Sequence, residues 1–241
     1  MNIPNNRTYS LMVAVSENGV IANSNGDLPW NIKEDKDYYL QTIKDKVWIQ
    51  ARKSFENGPK NLLETKLNII LTRNEKYQAE VDNTSIAHSL EDALKLAHEN
   101  SKDGDEVFIG GGSSLYAEAL SFAHKIYLTR VHDTYNDIGA LFPAFDTKIW
   151  ELDKDEFHKN ENGPNYSFQV YLRNKNGGGS DKLVEQGLTV CESFKTSCFT
   201  PRVDLRKIQE LSSHGMSRNA IALKMGLARA TVSKALQQLN T

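Results

Sequence analysis

From Glu106 to Tyr116 the chain reads EVFIGGGSSLY. Glu106 to Ile109 is a short apolar run suited to a buried strand, and Ser113 begins a helical pattern that extends to Phe122. Between them lie Gly110, Gly111 and Gly112. Glycines at a strand-to-helix junction let another backbone or a ligand approach closely, and the following helix start attracts phosphate. The run lacks GxGxxG spacing, so it is not an ordinary dinucleotide fingerprint. The same alternation extends along the chain. Strands are expected at Tyr9 to Ser16, Val47 to Gln50, Leu67 to Thr72 and Lys125 to Val131, and helices at Glu34 to Asp45 and Ser89 to Glu99. Short apolar strands separated by helices imply crossover connections and a mainly parallel sheet, an α/β class. Ile149 to His158 and Tyr166 to Arg173 flank Asn162-Gly163-Pro164-Asn165 and read as a closing antiparallel hairpin.

Bulk properties agree with a folded protein. The 241 residues are 39% hydrophobic and 25% charged, within the globular range. No apolar run approaches the ~20 residues of a membrane helix, and no signal peptide is visible. The expectation is a cytoplasmic protein without membrane attachment, acting as a monomer. The two cysteines, Cys191 and Cys198, form no scaffold, and the six histidines show no metal-ligand spacing. The net charge of −2 conceals an asymmetry. Through Leu172 there are 18 basic and 26 acidic residues; from Arg173 onward there are 11 and 5. The sign changes at Arg173-Asn-Lys-Asn-Gly-Gly-Gly-Ser180, a polar flexible run. Three segments follow: a front domain over 1–175, a linker over 176–200 and a tail over 201–241.

Three features of the front domain carry chemistry. The loop Ile21 to Trp30 leaves the first strand, and five residues beyond Trp30 lies Asp35. Asp35, Tyr39 and Ile43 share one helical face. A carboxylate on an apolar face is costly unless paired, so Asp35 either caps the helix locally or awaits a ligand. Ala51-Arg-Lys-Ser-Phe55 turns from strand to short helix, and Arg52 and Lys53 there could meet a phosphate. Thr72-Arg73, ending another parallel strand, could add a second contact. The glycine run is the third feature.

In this order the segments resemble the dihydrofolate reductase family, from about Tyr9 to Arg173. The resemblance rests on LPW at 28–30, Asp35, Tyr39, RKSFE at 52–56, NIILTR at 68–73, IGGGSSLY at 109–116, KIYLTRV at 125–131 and LFP at 141–143. It implies a mixed, mostly parallel eight-stranded sheet flanked by helices, with an NADPH site and a pterin pocket. It further implies NADPH-dependent reduction of 7,8-dihydrofolate to tetrahydrofolate, by hydride transfer to C6 and protonation at N5. By position, Asp35 resembles the pocket carboxylate, Thr129 its hydrogen-bonded neighbour, and Trp30 the anchor of an ordered water. These three are the implied catalytic residues. Met12, Val13, Tyr39, Lys66 and Gly110 would join Asp35 and Thr129 around the substrate. Ala14, Ile21, Arg52, Lys53, Ser54, Leu71, Thr72 and Arg73 would meet the cofactor, together with Gly111, Gly112, Ser113, Ser114, Leu115 and Tyr116. Arg52, Thr72 and Arg73 would select the 2′-phosphate. The Gly111–Gly112 peptide is expected to be cis, and the 22–30 loop to close over the nicotinamide.

The chain departs from the family pattern at several places. Ala22 and Ala51 replace glycines, and the 22–30 loop is one residue longer than common. Gly110 stands where an apolar residue usually flanks the pterin, and Ile138-Gly139 replaces a Gly-Asp pair. Lys66 replaces the arginine for the folate's glutamate carboxylate, which keeps charge and loses bidentate geometry. A reductase for another pterin-like substrate, or one with reduced antifolate sensitivity, is compatible with these changes.

The tail reads as a small all-α module of three helices: Asp204 to His214, Ser217 to Met225 and Arg229 to Asn240. Ala222, Gly226 and Val232 have helix-turn-helix spacing, and the segment resembles the C-terminal helix-turn-helix of resolvase/invertase-type recombinases. From Pro201 onward it has seven basic and two acidic residues. Arg218, Arg229, Thr231, Ser233 and Lys234 are its candidate DNA-binding residues. A second reading of the whole chain is a DNA-binding regulator whose front domain senses a pterin or nucleotide. No metal is expected.

Overall fold

The computed structural model describes residues 7–59, 63–79, 81–174, 205–213, 216, 217, 221 and 236. Among the described residues the front domain contains ten strands: β1 (Thr8–Ser16), β2 (Val20–Ala22), β3 (Val47–Ala51), β4 (Leu67–Leu71), β5 (Thr84–Ala87), β6 (Glu106–Ile109), β7 (Lys125–Val131), β8 (Ala140–Leu141), β9 (Trp150–His158) and β10 (Tyr166–Arg173). Its helices are α1 (Lys33–Ile43), α2 (Arg52–Asn57), α3 (Leu90–Glu99) and α4 (Ser113–Ala119). Eight strands form one sheet in the order β5-β4-β3-β6-β1-β7-β10-β9, and β2 pairs with β8 in a separate ribbon. From β5 to β7 every pair is parallel. The closing hairpin adds the antiparallel pairs β7–β10 and β10–β9. The eight-stranded mixed sheet implied by the resemblance is the one observed.

Alternation along the central strands divides the side chains between two layers. Tyr9, Leu11, Val13 and Val15 of β1 enter the larger core with Ile49, Ile69, Val107, Ile109, Ile126 and Leu128. The apolar positions of α3 (Leu90, Ala93, Leu94 and Ala97) cover it, with Leu115, Tyr116 and Ala119 of α4. The opposite face carries Met12, Trp48 and Phe108 under Ile43, Tyr38 and Tyr39 of α1. Beside this lies a third cluster of Trp30, Ile32, Val131 and Tyr166. Asp35 is therefore on the α1 side of the sheet.

Element boundaries follow local chemistry. Ser89 caps α3 rather than entering it, its Oγ accepting the Asp92 N–H at 3.0 Å. The expected helix to Asp45 stops at Ile43, because Lys44 leaves helical geometry and Asp45 adopts φ +56°. The helix expected to reach Phe122 ends at Ala119, beyond which Ala123 donates back to the Ala119 carbonyl. β5 is absent from the sequence reading: TSIA shows no clear alternation, and it is a strand because β4 offers its edge in register from Asn68↔Thr84 to Leu71↔Ala87.

In the tail, α5 (Leu205–Ser213) matches the first expected helix. Ile208, Leu211 and Ile221 are buried. Apart from the single positions Ser217, Ile221 and Leu236, the other two expected helices lie outside the described residues, as do Arg218, Arg229, Thr231, Ser233 and Lys234. Among the described residues no helix is long and apolar enough to cross a membrane.

Replacing Ser89 by alanine removes the α3 cap and should lower stability by about 1 kcal/mol. Urea denaturation of both proteins measures it, and a shift near zero would show that the cap contributes nothing.

Candidate active site

Asp35 occupies the first turn of α1 and is only 8% exposed. Its hydrogen-bonding neighbour is the Thr129 hydroxyl on β7, itself 1% exposed. Burial pushes the Asp35 carboxyl up from 3.8 to about 6, and the Thr129 hydrogen bond opposes that rise. Trp30 is buried in the cluster with Ile32, Val131 and Tyr166, its ring tilted on Tyr135 at 5.4 Å. The Trp30 Nε1–H is buried with no acceptor among the described residues, a donor suited to an ordered water. Met12 and Tyr39 share the cluster beside Asp35, and burial raises the Tyr39 phenol far above its ordinary value. Val13 turns the other way, into the larger core. Its side chain therefore stays away from this face.

Lys66 lies just before β4, exposed, with its N–H donating to the Lys46 carbonyl at 2.9 Å. Nearby Asp105 is held below its usual value by the Lys102 backbone N–H first, and then by the Lys66, Lys46 and Arg7 cations; desolvation opposes them. Asp35 and Lys66 thus mark opposite ends of α1. The eight residues from Asp35 to Ile43 rise about 12 Å.

The strand ends opposite Lys66 build the second half of the site. Past the paired residues of β3 and β6, Gly110 donates to the Ile49 carbonyl and Ala51 to the Gly111 carbonyl, both at 2.7 Å. The Gly111–Gly112 peptide is cis. A Cβ at Gly111 would be 3.1 Å from the Ser54 Oγ and 3.4 Å from the Tyr116 ring, whereas one at Gly112 would meet only Ser54 Oγ at 4.0 Å. The surface beside Gly112 is open, as a diphosphate requires. Tyr116 lies beneath, its hydroxyl donating to the Met12 carbonyl at 2.7 Å, and the Ser113 hydroxyl donates to the Leu141 carbonyl. Leu115 and Ile21 belong to the larger core, with Leu71 packed against it, so their side chains support the floor of the site.

Because β3 and β4 are adjacent and parallel, Arg52-Lys53 and Thr72-Arg73 emerge side by side. Arg52 is held by both Glu56 oxygens at 3.0 and 2.9 Å and lies over the Tyr77 ring. Lys53 and Arg73 are exposed. Thr72 accepts the Asn74 N–H on its hydroxyl, and its carbonyl bonds His88 Nδ1 at 2.9 Å. His88, from the next strand end, is a neighbour that the sequence reading missed, since only the β4–β5 pairing brings it there.

The loop after β2 is tied down. Asn23 Oδ1 accepts the N–H groups of Asn25 and Asp27, while the Ser24 N–H and hydroxyl both reach Asp137 at 3.1 Å. Gly139 donates to the Ala22 carbonyl, and a Cβ there would sit 1.7 Å from the Asn23 carbonyl oxygen. Only glycine permits that approach, which accounts for Gly139 where the family pattern has Asp; nothing in the structure explains Ile138. No group of side chains among the described residues could hold a metal ion.

A family model for dihydrofolate reductase matches residues 8–173. The chain belongs to the dihydrofolate reductase family. Its relatives include the dihydrofolate reductase of Staphylococcus haemolyticus, 35% identical over 166 residues, covering 68% of this chain and 95% of that protein. The Haemophilus influenzae enzyme is 31% identical, covering 68% and 97%. Among solved structures, dihydrofolate reductase from Enterococcus faecalis, complexed with NADP(H) and RAB-propyl, matches with TM-score 0.60 and 27% identity over 69% of this chain and 96% of that one. As a member of the dihydrofolate reductase family, the protein is an oxidoreductase.

The raised carboxyl has a consequence for stability. Below about pH 4 Asp35 is protonated in folded and unfolded chains alike and contributes nothing. Between pH 4 and 6 the unfolded chain releases the proton first, so stability falls as pH rises; above 6 the penalty is constant. Asp35→Asn should therefore stabilise the ligand-free protein at pH 7 by roughly 3 kcal/mol and leave it almost unchanged near pH 4. Denaturant titrations at both pH values measure this, and an equal effect at both would contradict the burial of a titrating carboxyl.

Proposed function

We propose that the protein reduces 7,8-dihydrofolate to tetrahydrofolate with NADPH. The observation that carries the reading is the buried Asp35–Thr129 pair at the start of α1, the helix whose Tyr39 packs with Met12 on the same side of the sheet. Lys66 at the far end of α1 fits the glutamate carboxylate of an extended folate, as a point charge rather than a fork.

The residues present fit a nicotinamide dinucleotide phosphate. Arg52, Lys53, Thr72 and Arg73 would hold the 2′-phosphate, and Ser54, Gly111, Gly112, Ser113 and Ser114 the diphosphate, with Ala14 near the nicotinamide. NADPH when bound supplies the hydride that C6 of dihydrofolate accepts. Asp35 accepts hydrogen bonds from the pterin amino group and ring nitrogen, fixing which face of the ring is presented. The proton for N5 is delivered by the water that the Trp30 Nε1–H anchors, in a dry pocket under the influence of the ionised Asp35 carboxylate. The 22–30 loop, held through Ser24 and Asp137, excludes bulk water from that transfer.

Asp35→Asn should reduce dihydrofolate-dependent oxidation of NADPH, followed at 340 nm, by about 100-fold or more while NADPH still binds. Unchanged turnover would remove Asp35 from the active site.

For the tail we propose DNA binding by a unit over 201–241 joined through the 176–200 linker. Its excess of basic residues and the burial of Ile208, Leu211 and Ile221 in and beyond α5 support this. A chain ending at Lys175 should keep turnover and lose salt-sensitive retention on duplex DNA. Full-length protein that shows no retention at low salt would sink the DNA reading.

A further inference from the structure

Trp48 is the second residue of β3, 3% exposed, and no sequence motif marks it. It clusters with Met12, Ile43 and Phe108, and its ring meets Tyr39 edge-on with centroids 5.4 Å apart. Across the β3–β6 seam it pairs with Phe108, so Gly110 is the next β6-side position on the same face. The indole occupies that position's side-chain space. A Cβ at Gly110 would lie 2.3 Å from Trp48 Cζ2 and 2.6 Å from Cη2. The Trp48 Nε1–H is buried with no acceptor among the described residues. A purely apolar ring would fill a core gap without a stranded donor, so the length and shape of the indole are what this position uses.

We propose that Trp48 and Gly110 are a size-exchanged pair that sets the width of the substrate slot between α1 and β6, with Trp48 as a specificity-determining positioning residue. Where an apolar side chain at 110 would form the wall from β6, the wall here is raised from β3. The indole also backs Tyr39, which lies one helical turn, about 6 Å, from Asp35. It therefore fixes where the slot wall stands for the part of the substrate beyond the ring that Asp35 holds. This rests on the reading of the site as a dihydrofolate pocket.

The test uses full-length protein as wild type, Gly110→Ile, Trp48→Val, the Trp48→Val/Gly110→Ile double variant, and Trp48→Phe. Thermal unfolding, the dihydrofolate KM and the NADPH Kd by fluorescence are measured for each. The single variants should unfold at lower temperature and the double variant should regain most of the loss, because one side chain replaces the other. With its wall moved to β6, the double variant should shift the dihydrofolate KM by about fivefold or more, with the NADPH Kd within about twofold. Recovered stability with an unchanged KM would reduce the pair to core packing and overturn the proposal, as would a parallel change in NADPH affinity. If the double variant does not fold, Trp48→Phe decides: a KM change of about threefold or more at constant NADPH Kd upholds the proposal, and no change overturns it. Wild-type protein without dihydrofolate-dependent turnover would sink the pocket reading and this inference together. Wild-type turnover with no KM shift in the variants would sink this inference alone.

Discussion

Past the last paired residues of β3 and β6 the two chains stay joined by two more short hydrogen bonds, from Gly110 to Ile49 and from Ala51 to Gly111. This seam holds the fold and the site at once. On one side of the sheet it closes the larger core over Ile49 and Ile109. On the other it presses Trp48 against Gly110. At its end it sets Ser54 against Gly111 and brings the turn into α2 beside the turn into α4. A side chain at Gly110 would break the contact, and the loss would reach both halves of the site.

The second organising feature is electrostatic. Asp35 is placed where its charged form is disfavoured, on a face otherwise built from Met12, Trp48, Phe108 and aromatic rings. Only the Thr129 hydroxyl offsets the desolvation. Such a group lowers the stability of the ligand-free fold, and strain of this kind persists where a ligand or a reaction uses it. The neighbouring Trp30 and Trp48 donors show the same property, since each is buried without an acceptor among the described residues. The α1 side of the sheet thus combines a buried carboxyl with two indole donors that lack an acceptor among the described residues.

Much of this was legible in the sequence because it depends on local chemistry. The glycine run, the alternation in β1, β3, β4, β6 and β7, and the turn between β9 and β10 all leave short-range signatures. So does Asp35, as a carboxylate in phase with Tyr39 and Ile43. What was not legible depends on pairing between distant segments. β5 has little strand character of its own and exists through the edge of β4. His88 reaches Thr72 only because those two strands are neighbours. The departure at Ile138-Gly139 looked like a lost feature until the fold placed Gly139 against the Asn23 carbonyl.

By itself, then, the sequence determined the α/β class, where the main strands fall along the chain, the family and the identity of the buried carboxylate, because periodicity, turn chemistry and motif spacing are written within a few residues. Tertiary structure decided which way Val13 faces, that Lys66 and Asp35 lie at opposite ends of α1, that Asp137 and Ser24 fasten the loop, and that Trp48 fills the space left by Gly110. Each of these is a contact between residues remote in sequence. Its energy depends on volume and distance between elements, and neither quantity exists until the sheet has been assembled.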